Sequence, residues 1–438
     1  MNLVSSPGKP LRGSLSLPGD KSLSHRAALF SALAQGESVI ENFLVAGVTQ
    51  AMLDALTSLG VSWELHGKRL VVQGKGLAGL RPPQRALDCG NSATTIRLLT
   101  GALAAAGVPA VLDGSPGLRR RPMDRIVSPL QSMGVPILAS EGGSPPLQLE
   151  TRTASQPLRA LDYTLPVASA QVKTCLLLAA LAADGPCSLH EPEPSRDHSE
   201  RMLASMGVKI RADGATVTLI PSCPVLLNPL HLVLPGDISS AAFIIVAAVI
   251  TPGSQVILRD VLLNPTRTGL LDALQSMGAD ISIQRGADRG GETVGDVTVS
   301  ASTLHGTEVD GALAVRMIDE FPAFAVATAF AHGRTEVRGA AELRHKESDR
   351  IGALAHNLLL LGAQVEEAAD GFTILGQGVL QGGKGDPFRD HRLAMALAVA
   401  GLASKEAVTV QGAEIIAESY PEFADALRSL GAEVRLEL

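Results

Sequence analysis

Aromatic side chains are scarce in this chain. One Trp, two Tyr and nine Phe amount to 3 % of 438 residues, although 46 % of all residues are hydrophobic. The interior must therefore be built from Ala, Leu, Val and Ile, whose compact bodies suit close packing of helices on sheets. Cysteine is equally sparse. Cys89, Cys175, Cys187 and Cys223 form neither a CxxC pair nor a Cys/His ligand spacing. That speaks against a zinc site and a disulfide framework and fits a reducing compartment. Positive charge is in deficit, with a net charge of −7, the wrong sign for a general nucleic-acid binder. The longest apolar run, AAFIIVAAVI at 241–250, is too short to span a bilayer. The first residues, MNLVSSPGKPLRGSLSL, contain no apolar h-region and no Arg-rich amphipathic helix, so no signal or transit peptide is expected. Neither GxxxxGK[ST] nor GxGxxG occurs, so a nucleoside triphosphate or a dinucleotide is not indicated.

What the chain has in abundance is repetition. An apolar residue, two variable positions, Leu or Met, Gly, then Val or Ala recurs as LTSLGVSW, LQSMGVPI, LASMGVKI, LQSMGADI, LLLLGAQV and LRSLGAEV. The glycines fall at 60, 134, 207, 278, 362 and 431, spaced 74, 73, 71, 84 and 69 residues apart. Each copy reads as a helix end, a Gly just past it, and a strand. Between copies lies a helix of small residues, a Gly, and alternating apolar residues, as in RAALFSALAQGESVIENF and AAFIIVAAVITPGSQVIL. The unit is strand–helix–strand–helix, six times over. Three units precede the PGD at 235–237 and three follow it, while an earlier PGD stands at 18–20. The pattern predicts an α/β chain of two lobes, three units each, with an interlobe cleft.

Chemistry appears when the repeat is subtracted. PGDKSLSHR (18–26) adds Lys21, Ser22 and Arg26 to a helix start whose later counterpart, PGDISSAAF, has no charge. Ser22 and Arg26 are i,i+4 and share a face, Asp20 suits the N-cap, and a helix N-terminus favours an anion. His25 is given no chemistry and reads as structural. DCGNSATTIR (88–97) opens a second helix with a Gly/Asn/Ser/Thr turn, and GLRRRPMDR (117–125) gathers Arg119, Arg120, Arg121 and Arg125. VASAQVK (167–173) offers Ser169 and Gln171, and SRDHSERM (195–202) adds Arg196. MIDEFPAF places Asp319 and Glu320 before Pro322; LRHKESDR places Lys346 and Arg350 around Glu347; DHRLAMA places Arg392 at a helix start. Seven cations (Lys21, Arg26, Arg121, Arg196, Lys346, Arg350 and Arg392) thus stand near helix starts, with two carboxylates, Asp319 and Glu347, beside them. The set suits small, multiply anionic substrates and proton transfer by carboxylates.

In these motifs the chain resembles the 5-enolpyruvylshikimate-3-phosphate synthase (3-phosphoshikimate 1-carboxyvinyltransferase) family. The matching pieces are PGDKSLSHR, DCGNSATTIRL, RRRPMDR, ASAQVK, NPTRTG, LRHKESDR and DHRLAMA, in family order across nearly the whole chain. The resemblance implies the enolpyruvyl transferase fold, with 20–234 as one lobe and 1–19 plus 235–438 as the other. It implies that the 5-hydroxyl of shikimate 3-phosphate attacks C2 of phosphoenolpyruvate, with no metal or organic cofactor. By matching motifs, Lys21, Ser22, Arg26, Ser169, Ala170, Gln171, Arg196, Asp319 and Lys346 would hold shikimate 3-phosphate. Lys21, Ala93, Arg121, Gln171, Arg350 and Arg392 would hold phosphoenolpyruvate. Asp319 would be the base at the hydroxyl, and Glu347, helped by Lys21, would handle the C3 proton. The two substrates carry roughly five to six negative charges, which seven cations match. A cytoplasmic monomer without nucleic-acid or membrane partners is expected.

Glyphosate-sensitive members of the family have Gly where this chain has Ala93, Lys where it has Glu418, and often Asp where it has Val48. GNSAT, RDHSERM and MIDEFP instead resemble the glyphosate-tolerant class. Glu418 puts a phosphate contact at its position in doubt. The related UDP-N-acetylglucosamine enolpyruvyl transferases normally bear a reactive Cys on the loop matching 114–121, which here reads GSPGLRRR.

Overall fold

All six glycines of the repeat adopt positive φ, from 83° at Gly60 to 99° at Gly278. A side chain with a Cβ is strained there, so Gly marks the point where each helix stops and the chain reverses into a strand. This computed structural model describes residues 1–153 and 156–437. It contains six four-stranded sheets and helices α1 (Lys21–Leu33), α2 (Gly47–Ser58), α3 (Ala93–Ala106), α4 (Asp124–Ser132), α5 (Ala170–Ala180), α6 (His198–Ser205), α7 (Ile238–Ile250), α8 (Gly269–Ser276), α9 (Gly311–Arg316), α10 (Phe321–Ala329), α11 (Arg350–Leu360), α12 (His391–Gly401) and α13 (Phe423–Ser429).

Each sheet follows one plan. In the second repeat Leu87–Asp88 pairs parallel to Ala110–Asp113 across α3; that strand pairs antiparallel to Ser144–Leu149, which pairs with Ile137–Ser140 across a hairpin. The sequence reading of two strands per unit is thus half the observed number. The edge strand is only two or three residues long in five of the sheets, as at Leu87–Asp88 and Asp162–Thr164, too short to display a period of two. The hairpin partner is visible in hindsight as the second of two alternating runs.

Two sheets are completed by the start of the chain. Asn2–Ser6 lies between Val408–Val410 and Glu433–Glu437, and Arg12–Ser16 pairs parallel to Gln255–Leu262. Conversely, His231–Val233 supplies the edge of the sheet that follows α1. The chain divides accordingly. Gly19–Leu234 with Arg289–Glu292 forms one compact unit, called the first below; Met1–Pro18, Pro235–Asp288 and the chain from Thr293 form the second.

Within each unit three helices are almost wholly enclosed: α1, α3 and α5 in the first, α7, α10 and α12 in the second. Every residue of α7 is buried, which is possible because Ala, Ile, Val and Phe make up all of it but Ser239 and Ser240, whose hydroxyls are hydrogen-bonded. Close approach explains the scarcity of aromatics. A Cβ on Gly101 of α3 would lie 2.2 Å from the Cys175 carbonyl oxygen of α5, so nothing larger than Gly fits. Among the described residues no helix is long and apolar enough to cross a membrane.

Candidate active site

In the first unit the site begins at the α1 N-terminus, where the Asp20 carboxylate accepts the Leu23 N–H at 2.8 Å. One turn on, Arg26 is 2 % exposed. Its Nε donates to Ser199 Oγ at 2.7 Å, one terminal nitrogen to Thr174 Oγ1 at 2.9 Å, and the other to the Ser22 carbonyl at 3.0 Å. Arg26 therefore braces α1 against α5 and α6. Arg196, on the turn before α6, reaches Ser22 Oγ at 3.5 Å.

Ser169 caps α5 by accepting the Val172 N–H at 3.4 Å, and Ala170 is its first residue. The Gln171 amide is fixed at both ends: Oε1 accepts from Arg97 at 2.6 Å and Nε2 donates to Thr94 Oγ1 at 2.9 Å. Arg97 also donates to the Pro122 carbonyl at 2.9 Å, tying in the turn that carries Arg121. The arginine triplet splits: Arg121 is buried, while Arg119 is exposed and pairs with Asp113 at 2.9 Å. Ala93 is the buried first residue of α3, behind the Ser92 cap.

His25, to which the sequence assigns no chemistry, has structural surroundings. It is fully enclosed, with Nδ1 2.8 Å from the Lys21 carbonyl and Nε2 3.1 Å from the Val48 carbonyl. Burial, opposed by the Lys21 carbonyl and aided by the Lys21 and Arg26 charges, lowers its pKa to about 4. The folded protein binds this proton less readily than the unfolded chain, so stability falls as pH drops from about 6.5 toward 4. At ~1.4 kcal/mol per pH unit, acidification from pH 6.5 to 5 should cost about 2 kcal/mol through this residue. Denaturant midpoints across that range should show a steeper pH slope for the native chain than for His25→Gln; equal slopes would refute the assignment.

In the second unit the carboxylate of Asp319, just ahead of α10, is ringed by cations. Lys346 Nζ lies 3.2 Å and an Arg350 terminal nitrogen 3.4 Å from Oδ1, and Arg392 lies 3.7 Å from Oδ2. Arg392 also donates to the Asp319 carbonyl at 2.8 Å. Arg350, 1 % exposed, donates to Glu347 Oε2 at 2.6 Å and from Nε to Asp390 Oδ2 at 2.8 Å. Asp390 in turn caps α12 by accepting the Arg392 N–H at 2.9 Å. Burial acts against the Arg350 charge, but Asp390 and Glu347 more than offset it and hold its pKa above the ordinary value. Burial likewise penalises the Asp390 carboxylate, yet Arg350 and His391 bring it below the ordinary range. Behind Asp319, buried Glu320 accepts a short hydrogen bond from Ser239, which also receives Arg267 at 2.8 Å.

Cations and carboxylates are thus gathered into two clusters. Lys21, Ser22, Arg26, Ala93, Arg121, Ser169, Ala170, Gln171 and Arg196 belong to the first unit; Asp319, Lys346, Glu347, Arg350 and Arg392 belong to the second. Direct contacts join Ser22, Arg26 and Arg196, and join Asp319 to Lys346, Arg350 and Arg392. Sequence reasoning missed Arg97, Thr94, Asp390 and the Arg267–Glu320 pair. Arg97 carried a signal, being the lone charge of an apolar helix; Asp390 carried another, standing two residues before Arg392.

A family model described as EPSP synthase (3-phosphoshikimate 1-carboxyvinyltransferase) matches residues 5–427. The chain belongs to this family. A 3-phosphoshikimate 1-carboxyvinyltransferase of Syntrophomonas wolfei is 46 % identical over 432 residues, covering 98 % of this chain and 100 % of that one. Another, of Roseiflexus castenholzii, is 48 % identical over 422 residues, covering 96 % and 97 %. A solved EPSP synthase of Acinetobacter baumannii superposes with a TM-score of 0.88 at 39 % identity, over 100 % of both chains. The family's two-lobed, six-unit α/β fold is the one described above.

Proposed function

We propose that the chain transfers the enolpyruvyl group of phosphoenolpyruvate to the 5-hydroxyl of shikimate 3-phosphate and releases phosphate, a step of aromatic amino acid biosynthesis. The observation that carries this reading is the match of residues 5–427 to the family, with near-complete coverage by relatives of that activity. The buried arginines of both units support it, because a guanidinium offers phosphates and carboxylates charge-assisted, bidentate hydrogen bonds.

Shikimate 3-phosphate binds through Lys21, Ser22, Arg26, Ser169, Ala170, Gln171, Arg196, Asp319 and Lys346. Phosphoenolpyruvate binds through Lys21, Ala93, Arg121, Gln171, Arg350 and Arg392. Asp319 takes the proton of the 5-hydroxyl as its oxygen bonds to C2 of phosphoenolpyruvate, while C3 gains a proton through Glu347 or Lys21. The tetrahedral intermediate then breaks its C2–O bond to phosphate and returns a C3 proton, leaving the enol ether. Lys346 and Arg350, 3.2 and 3.4 Å from Asp319 Oδ1, hold this carboxylate in place for the hydroxyl. Mass spectrometry of the product tests the reading: shikimate 3-phosphate should gain an enolpyruvyl group, and UDP-N-acetylglucosamine should gain none. The reverse preference would overturn it. All four cysteines are unpaired, which supports a reducing compartment, the cytoplasm.

We further infer membership of the glyphosate-tolerant class. Ala93 stands buried at the first turn of α3, so its methyl group narrows the phosphoenolpyruvate pocket relative to Gly. Ala93→Gly should strengthen glyphosate inhibition by about tenfold or more, with kcat nearly unchanged, since a single methyl group in a tight pocket is worth ~1–3 kcal/mol. Identical inhibition of both forms would refute the steric argument.

A further inference from the structure

The first unit contains a second set of buried charges that substrate binding does not account for. Lys173 lies on α5 two residues beyond Gln171, with 2 % of its side chain exposed. Its Nζ is 2.7 Å from Glu191 Oε2, 2.7 Å from Glu200 Oε1 and 3.4 Å from the Ser195 carbonyl. Glu191 follows the strand Cys187–His190, and its Oε2 also accepts the Ser195 N–H at 3.2 Å. Glu200 lies on α6, next to the Ser199 that receives Arg26. The segment bearing Arg196 is therefore gripped on both sides, at Ser195 and at Ser199–Glu200. Between the grips Arg196 points its guanidinium at Ser22.

Two carboxylates share one ammonium here. Burial weighs against the Lys173 charge, yet Glu200 and Glu191 raise its pKa; burial raises that of Glu200 despite Lys173. Such a cluster costs more in desolvation than an apolar filler of the same volume would. It also specifies geometry that an apolar filler would not, because three separate chain segments must converge on one nitrogen.

We propose that Lys173 is a positioning residue for shikimate 3-phosphate: by gripping Glu191, Ser195 and Glu200 it fixes Arg196 against Ser22, without touching the substrate. The inference rests on the activity proposed above. Arg121, assigned to phosphoenolpyruvate alone, sits on a turn held by other means, Arg97 donating to the Pro122 carbonyl, and Gln171, which serves both substrates, is held by Arg97 and Thr94. Loosening the grip should therefore affect one substrate and spare the other.

Steady-state phosphate release, with each substrate varied at saturation of the other, tests this in the full-length chain and its variants. Lys173→Met should raise KM for shikimate 3-phosphate about tenfold, in line with the cost of misplacing a binding group by part of an ångström, while KM for phosphoenolpyruvate and kcat move less than about threefold. Lys173→Arg, which keeps a buried cation, should recover part of the loss. Glu191→Gln, which keeps Lys173 paired with Glu200, should raise the same KM by a smaller factor. If Lys173→Met is unfolded, Lys173→Met/Glu191→Gln/Glu200→Gln removes the unpaired charges and should reproduce the KM split. Unchanged KM for shikimate 3-phosphate, or equal rises for both substrates, would overturn the proposal. So would unfolding of all four variants, which would make the cluster a stability element alone. Absence of phosphate release from the native chain would instead refute the activity itself, and is read separately in the unmutated arm.

Discussion

Asp319→Ala should lower kcat by about 10²–10⁴-fold while leaving shikimate 3-phosphate bound, the range expected when a placed general base is removed. Lys346, Arg350 and Arg392 all lie within 3.7 Å of the Asp319 carboxylate oxygens. Removing it frees positive charge next to the site, so binding of an anionic substrate has no electrostatic reason to weaken. What is lost is the acceptor for the hydroxyl proton. Calorimetric titration of the variant with shikimate 3-phosphate should give a Kd close to that of the native chain, alongside the collapsed kcat. Asp319→Asn keeps shape without basicity and should be equally slow. A variant with near-native turnover would remove Asp319 from the role of base; a variant that no longer binds would make it a structural residue.

Arg350→Met is expected to have the second large effect, and a double one. Arg350 lies 2.8 Å from the buried Asp390 carboxylate, and it also holds Glu347 at 2.6 Å. Removing one partner of a buried pair leaves an uncompensated charge and costs ~3–5 kcal/mol of stability. Loss of a bidentate anion contact should at the same time reduce kcat/KM for phosphoenolpyruvate by ~10²–10³-fold, equivalent to ~2.7–4 kcal/mol. The two effects separate in Arg350→Met/Asp390→Asn. Asn still caps α12, and no buried charge is left unpaired, so the denaturant midpoint should return most of the way while the defect toward phosphoenolpyruvate persists. Recovery of both together would mean that Arg350 acts only through folding.

The repeat was legible because one physical requirement recurs. Each helix must end on a residue that tolerates positive φ, and Gly60, Gly134, Gly207, Gly278, Gly362 and Gly431 all do so. The burial of α7 was legible in the same way, from an apolar run without a polar face. Strand number was not, because edge strands such as Gly383–Gly385 make only a few ladder bonds and show no alternation. Nor does local sequence reveal that Asn2–Ser6 and Arg12–Ser16 complete sheets formed by residues hundreds of positions later.

The site divides along the same line. Lys21, Arg26, Lys346, Arg350 and Arg392 stood out because they cluster at or just before the starts of largely apolar helices. Their bracing did not, since partners such as Thr174 and Ser199 for Arg26 lie 148 and 173 residues away. Arg26 illustrates the difference best. Sequence suggested a cation offered to an anion at a helix start; three of its donor contacts in fact go to Ser22, Thr174 and Ser199. Its guanidinium is thereby fixed in orientation next to Ser22, at no conformational cost when substrate arrives.

Release of inorganic phosphate from phosphoenolpyruvate by the purified chain, measured with and without shikimate 3-phosphate, tests the central claim most directly. Release should be rapid only when both are present, with one phosphate formed per shikimate 3-phosphate consumed. Release that does not depend on shikimate 3-phosphate, or no release with both substrates saturating, would contradict it.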